Sequence, residues 1–561
     1  MRREKRHMGD GKDCTDIWRK YQAGVDYHNR INLYMNTERA YNFFEGRQWA
    51  GLEDGGEELP FYNFIRPTVN LKVASVAMNN MEIVFSPMNA GPNQAVLAEV
   101  CKKLNGHAAQ LWELEKMQSK MWDMNREAAV SGNAFLYFYS DTHSQLVDTT
   151  SIYFADEQNP NIQEQAYIII AERRPVEDIR REARKNGCSD FEVGLILGDQ
   201  EHQNIVGVDT EVQTEHGKCL SLLYLSRGKD GVVYFSKSTR NVVYKRPTPM
   251  GTGVYPIVGL AWGEKKNSMR GIGDVTPMIP NQIEANKTLA RRAIAVKTAA
   301  YPRMAYVRDK VDNPEALDKV GSHIEINDSG AAINGIVSYL NPAPISGDAK
   351  LLTDELITTT RELQGASDAA LGTINPEQAS GAAIMAVRDQ SMIPLNEQVQ
   401  AFQQLIEDIA RVWYALWAAY NPNGMEVTYD KDGENISEII PGDVLMDMEI
   451  SVKVDVSPAN PYSRYAQEMS LQNLFQMGAI SFEEYVSALD DGAVMPKAKL
   501  ERIIKNREAK AQEQAMQAQT MQAMAVPAAE MAGEEAAIMA QEAMSAQEAQ
   551  DIAELQSLIT A

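Results

Sequence analysis

Seven histidines, four cysteines and the Gly-x-Gly at 271–273 are the residues of this 561-residue chain that could carry chemistry, and their spacing decides what they can do. His7, His28, His107, His143, His202, His216 and His323 lie far apart without carboxylates at ligand spacing, so neither a zinc site nor a His-assisted nucleophile is indicated. His107 borders an apolar helix face and reads as a packed or solvated side chain. Glu201-His202 and Glu215-His216 read as loop polars. Cys14, Cys101, Cys188 and Cys219 form no C-x-x-C pair, which argues against a metal cage and a disulfide framework and suits a reducing compartment. Gly271-Ile272-Gly273-Asp274 is a fragment of a dinucleotide fingerprint and follows no clear strand, so it reads as a turn into the next helix. No phosphate-binding G-x-x-x-x-G-K-[ST] loop occurs. The expectation is a protein with no catalytic residues, no metal and no cofactor.

The elements that carry these residues follow from periodicity. Residues 14–50 read as one polar-aromatic helix ending at Glu45-Gly46-Arg47-Gln48-Trp49, followed by an acidic Gly-rich loop up to Pro60. Val100, Leu104, Ala108, Leu111, Leu114, Met117, Met121, Met124 and Ala128 step by three or four, predicting one long helix. After Ser131-Gly132-Asn133 come strand patterns at 134–139, 152–155, 167–171, 222–225, 232–235 and 242–244, a mixed α+β body. Helix formers resume over 276–300, a small strand-rich insertion over 301–345 carries several Pro and Gly breaks, and 349–363 is helical again. Val399, Phe402, Ile406, Ile409, Trp413, Leu416 and Tyr420 predict a long helix with a wide apolar face. Strands at 425–429 and 448–456 flank a turn at 430–433, and Ser481 with Glu484 forms a capping-box pattern.

Lys and Arg total 54 against 77 Asp and Glu, a net charge of −23 that argues against a protein wrapping nucleic acid on a broad basic surface. The longest purely apolar run, Val412 to Tyr420, is far too short to span a membrane. Residues 1–13 are charged and carry no apolar signal region. Residues 511–561 contain 16 alanines, nine glutamines and eight acidic residues but no aromatic, Lys or Arg. This tail reads either as disordered or as a seam of helices buried between identical copies. Gln282 and Asn286 share a helix face that either bonds across a subunit boundary or is solvated. Lys287, Arg291, Arg292 and Lys297 beyond them either touch phosphate or are simply hydrated. Residues 373–384 read as a polar loop running into a small-residue helix.

Five segments in order carry a resemblance: Phe43-Phe44-Glu45-Gly46-Arg47-Gln48-Trp49; Tyr62-Asn63-Phe64-Ile65-Arg66-Pro67 with Val69 and Asn70; Ser131-Gly132-Asn133-Ala134; Gly271-x-Gly273-Asp274 through Gln282 and Asn286; and Ser380-Gly381-Ala382-Ala383-Ile384. With them, the chain resembles bacteriophage portal proteins, the head-to-tail connectors of short-tailed phages. The resemblance implies a portal fold: an α+β wing over 1–275, stem helices over 276–300 and 346–370, a clip over 301–345 and a tunnel-loop region over 371–394. A long wing helix with strands would follow over 395–460, then a helical crown over 461–510 and a tail or helical barrel over 511–561. It further implies a homo-dodecameric ring at one capsid vertex, assembled in the host cytoplasm, that conducts double-stranded DNA during packaging and ejection. Its implied partners are the major capsid protein, the scaffold, the terminase large subunit and a head-tail adaptor. On this mapping Asn375, Glu377, Gln378 and Arg388 face the DNA channel. Gln282, Asn286, Arg291 and Arg292 lie on the stem between subunits, and Arg303, Arg308, Asp309, Lys310 and Asp312 form the clip surface that docks terminase. A scaffold or adaptor, or a nucleic-acid enzyme with an unrecognised site, are the rival readings.

Overall fold

Positions where a residue must leave helical geometry divide the N-terminal part of the chain. The computed structural model describes residues 11–49, 60–77, 80–88, 94–199, 217–300, 303–317, 319, 321–327, 330, 332–340, 348–365, 393–431, 434–447, 450–457, 471–488 and 504. The single helix expected over 14–50 is two, α1 (Gly11–Arg30) and α2 (Leu33–Glu45), because Asn32 sits in the left-handed region at φ 55°. Asparagine tolerates that conformation better than most residues. Gly46, at φ 96°, then ends α2 as a left-handed cap. After α3 (Ile65–Ala77) and β1 (Asn80–Pro87), the long apolar stripe also breaks, into α4 (Gln94–Leu114) and α5 (Met117–Ser131). Lys116 at φ 51° makes the break, and Leu114, expected on the buried face, is 71% exposed beside it.

The strand body that follows is β2 (Asn133–Phe138), β3 (Ser144–Val147), β4 (Ile152–Phe154), β5 (Tyr167–Pro175), α6 (Val176–Lys185), α7 (Asp190–Gly194), β6 (Lys218–Arg227), β7 (Val233–Ser238), β8 (Val243–Pro249) and β9 (Ile257–Ala261). These strands form two antiparallel sheets, one ordered β3-β2-β9 and one a meander β4-β5-β6-β7-β8. Then come α8 (Val275–Ala300), β10 (Arg303–Tyr306), α9 (Ile333–Ile336), β11 (Val337–Leu340), α10 (Asp348–Leu363) and α11 (Asn396–Tyr420). The chain continues through β12 (Met425–Lys431), β13 (Glu434–Ile440), α12 (Gly442–Asp447), β14 (Ile450–Ser457) and α13 (Phe482–Ser487).

Two strand expectations need correcting. The turn at 430–433 joins β12 to β13, which the sequence reading missed, and β14 does not return to β12. It pairs instead along its whole length with β1, from Asn80↔Ser457 to Pro87↔Ile450, some 370 residues earlier. Non-local pairing of this kind leaves no trace in local spacing.

The main core forms where α11 lays Phe402, Leu405, Ile406, Ile409, Trp413, Leu416 and Trp417 against β1, β9 and α4, each such side chain contributing about 1.5–3 kcal/mol. Trp413 and Trp417 stack with centroids 6.0 Å apart, and Trp112 meets Trp413 edge-on. Tyr420, the last residue of the predicted stripe, is instead 40% exposed. His107 is packed, edge-on to Trp417.

The chain divides into two compact units, Met1–Ser457 and Pro458–Ala561. In the second, Ser481 and Glu484 exchange the bonds of the expected capping box, and Phe475 packs on Phe482 and Tyr485. Among the described residues no helix is long and apolar enough to cross a membrane.

One internal contact ties α2 to α5: the Tyr41 hydroxyl donates to the Glu127 carboxyl. Burial, opposed by the bond from Tyr41, pushes Glu127 up to about 7. A raised carboxyl means the unfolded chain loses its proton first, so this contribution to stability is present below pH 4.5 and is lost as pH rises through 7. Glu127→Gln is therefore expected to stabilise the protein by about 1–2 kcal/mol at pH 8 and to leave it unchanged at pH 4.5, read by urea titration at both pH values.

Candidate functional site

The two helices α8 and α10 pack against each other with the β10–β11 insertion between them in sequence; the first half of α8 is buried against α2, α3 and α5, whereas its last turns and much of α10 are exposed. Thr353 and Thr360 of α10 face inward, and Asn281 of α8 donates to Thr360 Oγ1 at 3.0 Å. Large apolar side chains also face out: Ile294 and Val296 on α8 and Leu351, Leu352 and Leu363 on α10 are each between 46% and 78% exposed, set among the exposed Asp354, Glu355 and Glu362. Apolar groups spread over both helices of a hairpin mark a surface suited to a partner.

The root of the hairpin is built from three glycines. Gly132, at φ 103°, ends α5 with its N–H on Ala128 O. A Cβ on Gly132 would stand 2.6 Å from Gly271 O, one on Gly271 2.6 Å from Gly132 O, and one on Gly273 2.6 Å from Val130 O. Backbone meets backbone there, which only glycine allows. Asn133 Oδ1 accepts from Gly271 N at 2.5 Å while its Nδ2 donates to Met269 O. Asp274 N donates to Ala129 O at 2.8 Å. The Gly271–Asp274 segment is therefore the turn into α8 that the sequence suggested, closed on both sides by backbone.

Asp274 also accepts from Trp262 Nε1 at 2.7 Å and from Lys72 Nζ at 3.0 Å. Lys72, on α3 and only 8% exposed, donates as well to Gln364 Oε1 at 3.1 Å. One ammonium thus holds the start of α8 and the residue just past α10.

Two turns further along α8, Gln282 and, a turn beyond it, Asn286 are 0% and 2% exposed. Gln282 Oε1 accepts from Phe64 N and its Nε2 donates to Tyr62 O. Asn286 Oδ1 accepts from Tyr62 N, and its Nδ2 donates to Gln48. This corrects the reading of a wetted face: within one chain the pair is already buried, and its amides fasten the 60–64 segment and Gln48 of the same subunit. Buried amides are satisfied this way when a polar segment crosses a helix.

Beneath the root lies a constellation that the sequence did not reveal. Arg270 grips Glu157 bidentately, Nε to Oε2 at 2.9 Å and Nη2 to Oε1 at 2.8 Å, and donates to Thr149 O and Ile152 O at 2.8 Å each. His28 of α1 is fully buried, with Nε2 at 2.9 Å from Arg270 Nη2 and 3.2 Å from Glu157 Oε1. Burial would raise Glu157, but the Arg270 charge and the bonds from His28 and Arg270 outweigh it and hold the carboxyl at about 2. Burial pushes His28 down to about 4 against the pull of Glu157. Its imidazole is neutral at pH 7. These residues stand 113 and 242 positions from Arg270, beyond the reach of any local motif.

The other expected site residues are placed as follows. Arg291 is exposed, 4.0 Å from Glu284, and Arg292 is half-buried. In the insertion, Arg308, Asp309 and Asp312 are exposed and Lys310 is half-buried, while Val311 and Ile336 are buried. Arg303 opens β10, opposite Leu340. Asn375, Glu377, Gln378 and Arg388, with the whole of 366–392, lie outside the described residues. Among the described residues no three His, Cys, Asp or Glu side chains gather as a metal site.

Residues 140–553 match the family model of the Phage P22-like portal protein. That match takes in well over half of the 561 residues. No curated protein matches the chain.

Proposed function

Because the chain belongs to the Phage P22-like portal protein family, whose members are structural, non-enzymatic virion components, we propose that identical copies close into a dodecameric ring at one capsid vertex and serve as the conduit for genome packaging and ejection. The observation that carries this reading is the α8–α10 hairpin, whose two outward faces present Val296, Leu351, Leu352 and Leu363 to solvent in the single chain. A heterologous head-to-tail contact, repeated with closure, covers such faces on every copy at once. The net charge of −23 supports a lumen that does not grip DNA, since each phosphate held by Lys or Arg adds salt-dependent affinity to be broken as the duplex slides. The α8–α10 pair is then the stem and residues 303–340 belong to the clip. Arg303, Arg308, Asp309, Lys310 and Asp312 offer the docking surface for the terminase large subunit and the head-tail adaptor. Asn375, Glu377, Gln378 and Arg388 face the DNA, and the capsid protein and scaffold meet the outer wall.

Negative-stain microscopy of the purified protein tests the ring: annular particles with a central hole are expected, and compact single subunits would overturn the proposal. The stem assignment has its own test. Leu351→Asp combined with Val296→Asp should leave the folded subunit intact and raise the concentration needed for assembly by about a hundredfold or more, read by light scattering.

A further inference from the structure

A recess of about 370 Å³ opens between α2 and α8, floored by Phe43, Trp49 and Ile283 and rimmed by Arg39, Arg47 and Lys287. Among the described residues that line it, three cations face the single carboxylate of Glu38. Arg47 is paired with Glu45 at 2.7 Å, whereas among the described residues neither Arg39 nor Lys287 has a carboxylate partner. Arg39 rests on the Phe43 ring, and the buried Nε1 of Trp49 has no acceptor. An apolar floor with donors around the rim and a positive surplus calls for a ligand with an anionic head and a short apolar stem.

We propose that this recess receives a Glu or Asp side chain from a second copy of the chain, so that neighbouring subunits are keyed by an ion-paired plug at α2–α8. This rests on the ring reading above. Two observations select the occupant. The volume suits one or two side chains, too little for a duplex backbone. The chain carries 77 acidic against 54 basic residues, so the average surface of another copy complements this cationic spot. Lys287 also lies on α8, two and a half turns before Val296 and so on the opposite side of the helix, the side that a head-to-tail ring turns to its other neighbour. Charge at such a site governs partner register and the salt dependence of association more than its raw strength.

The test uses rings assembled from mixed unlabelled and ¹⁵N-labelled full-length chains, treated with a carbodiimide that joins Lys287 to a touching carboxylate as an amide. Mass spectrometry should find Lys287 linked to Asp or Glu in pairs of mixed label, which separates it from Glu38 of the same chain. In parallel, Arg39→Gln with Lys287→Gln should raise the midpoint concentration of assembly about tenfold at low salt and flatten its dependence on NaCl. If rings form and Lys287 is linked only within its own chain, or if the double variant assembles with unchanged salt dependence, the plug is wrong and the ring reading stands. Protection of Lys287 by added duplex DNA rather than by assembly would replace the carboxylate with a phosphate and likewise overturn it. A wild-type chain that never assembles overturns both.

Discussion

Gly273→Val is expected to destabilise the Met1–Ser457 unit by about 3 kcal/mol or more and to loosen the root of the hairpin before the rest melts. The added Cβ would stand 2.6 Å from Val130 O and 2.9 Å from Ala129 O, both backbone atoms of α5 that cannot swing aside as a side chain would. Relief requires the 271–274 segment to lift away, which breaks the bond from Asp274 N to Ala129 O and pulls Asp274 from Trp262. Hydrogen exchange should show the amides of 271–275 opening well below the midpoint of global unfolding. Gly187→Ala provides the contrast. Gly187, unlike Gly273, has a positive φ, 80°, but nothing stands within 4 Å of its Cβ direction, so only the backbone term of about 1 kcal/mol is lost. Equal effects at the two positions would contradict the close approach of α5 and the 271–274 segment.

Arg270→Met should be at least as damaging, by about 3–5 kcal/mol, because it leaves the Glu157 carboxylate buried without its bidentate partner. The double variant Arg270→Met with Glu157→Gln is expected to recover a large part of that loss, since no unpaired charge remains. The same cluster sets an acid limit. Glu157 is held below its ordinary range, so its contribution is full above about pH 4.5 and fades as pH falls toward 2. His28 is also depressed, so the unfolded chain takes up a proton near pH 6.5 that the folded chain refuses until about 4, and stability declines across that interval. Between pH 7 and 4.5 the Glu127 contribution grows while that of His28 fades, so the His28 effect is read as a difference: the stability of wild type minus that of His28→Gln should fall as pH drops from 6.5 to 4, in unfolding titrations at half-unit pH steps.

Local signals were legible and distant ones were not. Gly46 and Gly132 act where the sequence placed a stop, and the capping box at Ser481 forms as spaced. The Gly271–Asp274 turn could be read as a turn, but its partner could not, since nothing in residues 271–274 points to 129–132. The pairing of β1 with β14 and the grip of Arg270 on Glu157 escaped for the same reason. Lys116 hid its break because the apolar stripe runs on through it while the backbone turns, and Asn32 hid its own inside a polar-aromatic run with no Gly or Pro to mark it. Gln282 and Asn286 mark the limit most clearly: spacing put them on one helix face, yet two polar amides look equally at home in water, at a boundary or, as found, under a crossing segment of their own chain. Four of the five segments that carried the family resemblance gather at the hairpin root, where Gly46 to Gln48, Tyr62 to Phe64, Gly132 and Asn133, and Gly271 to Asn286 touch one another, and the fifth, 380–384, lies outside the described residues.

The double grip of Lys72 has a mechanical meaning. Asp274 and Gln364 are anchored to a single ammonium on α3, so the two long helices share one footing instead of standing on separate swivels. A torque applied at the far end of the pair is delivered straight into α3 and the floor around it, and a lever mounted like this carries a push on its tip to the body as a tilt.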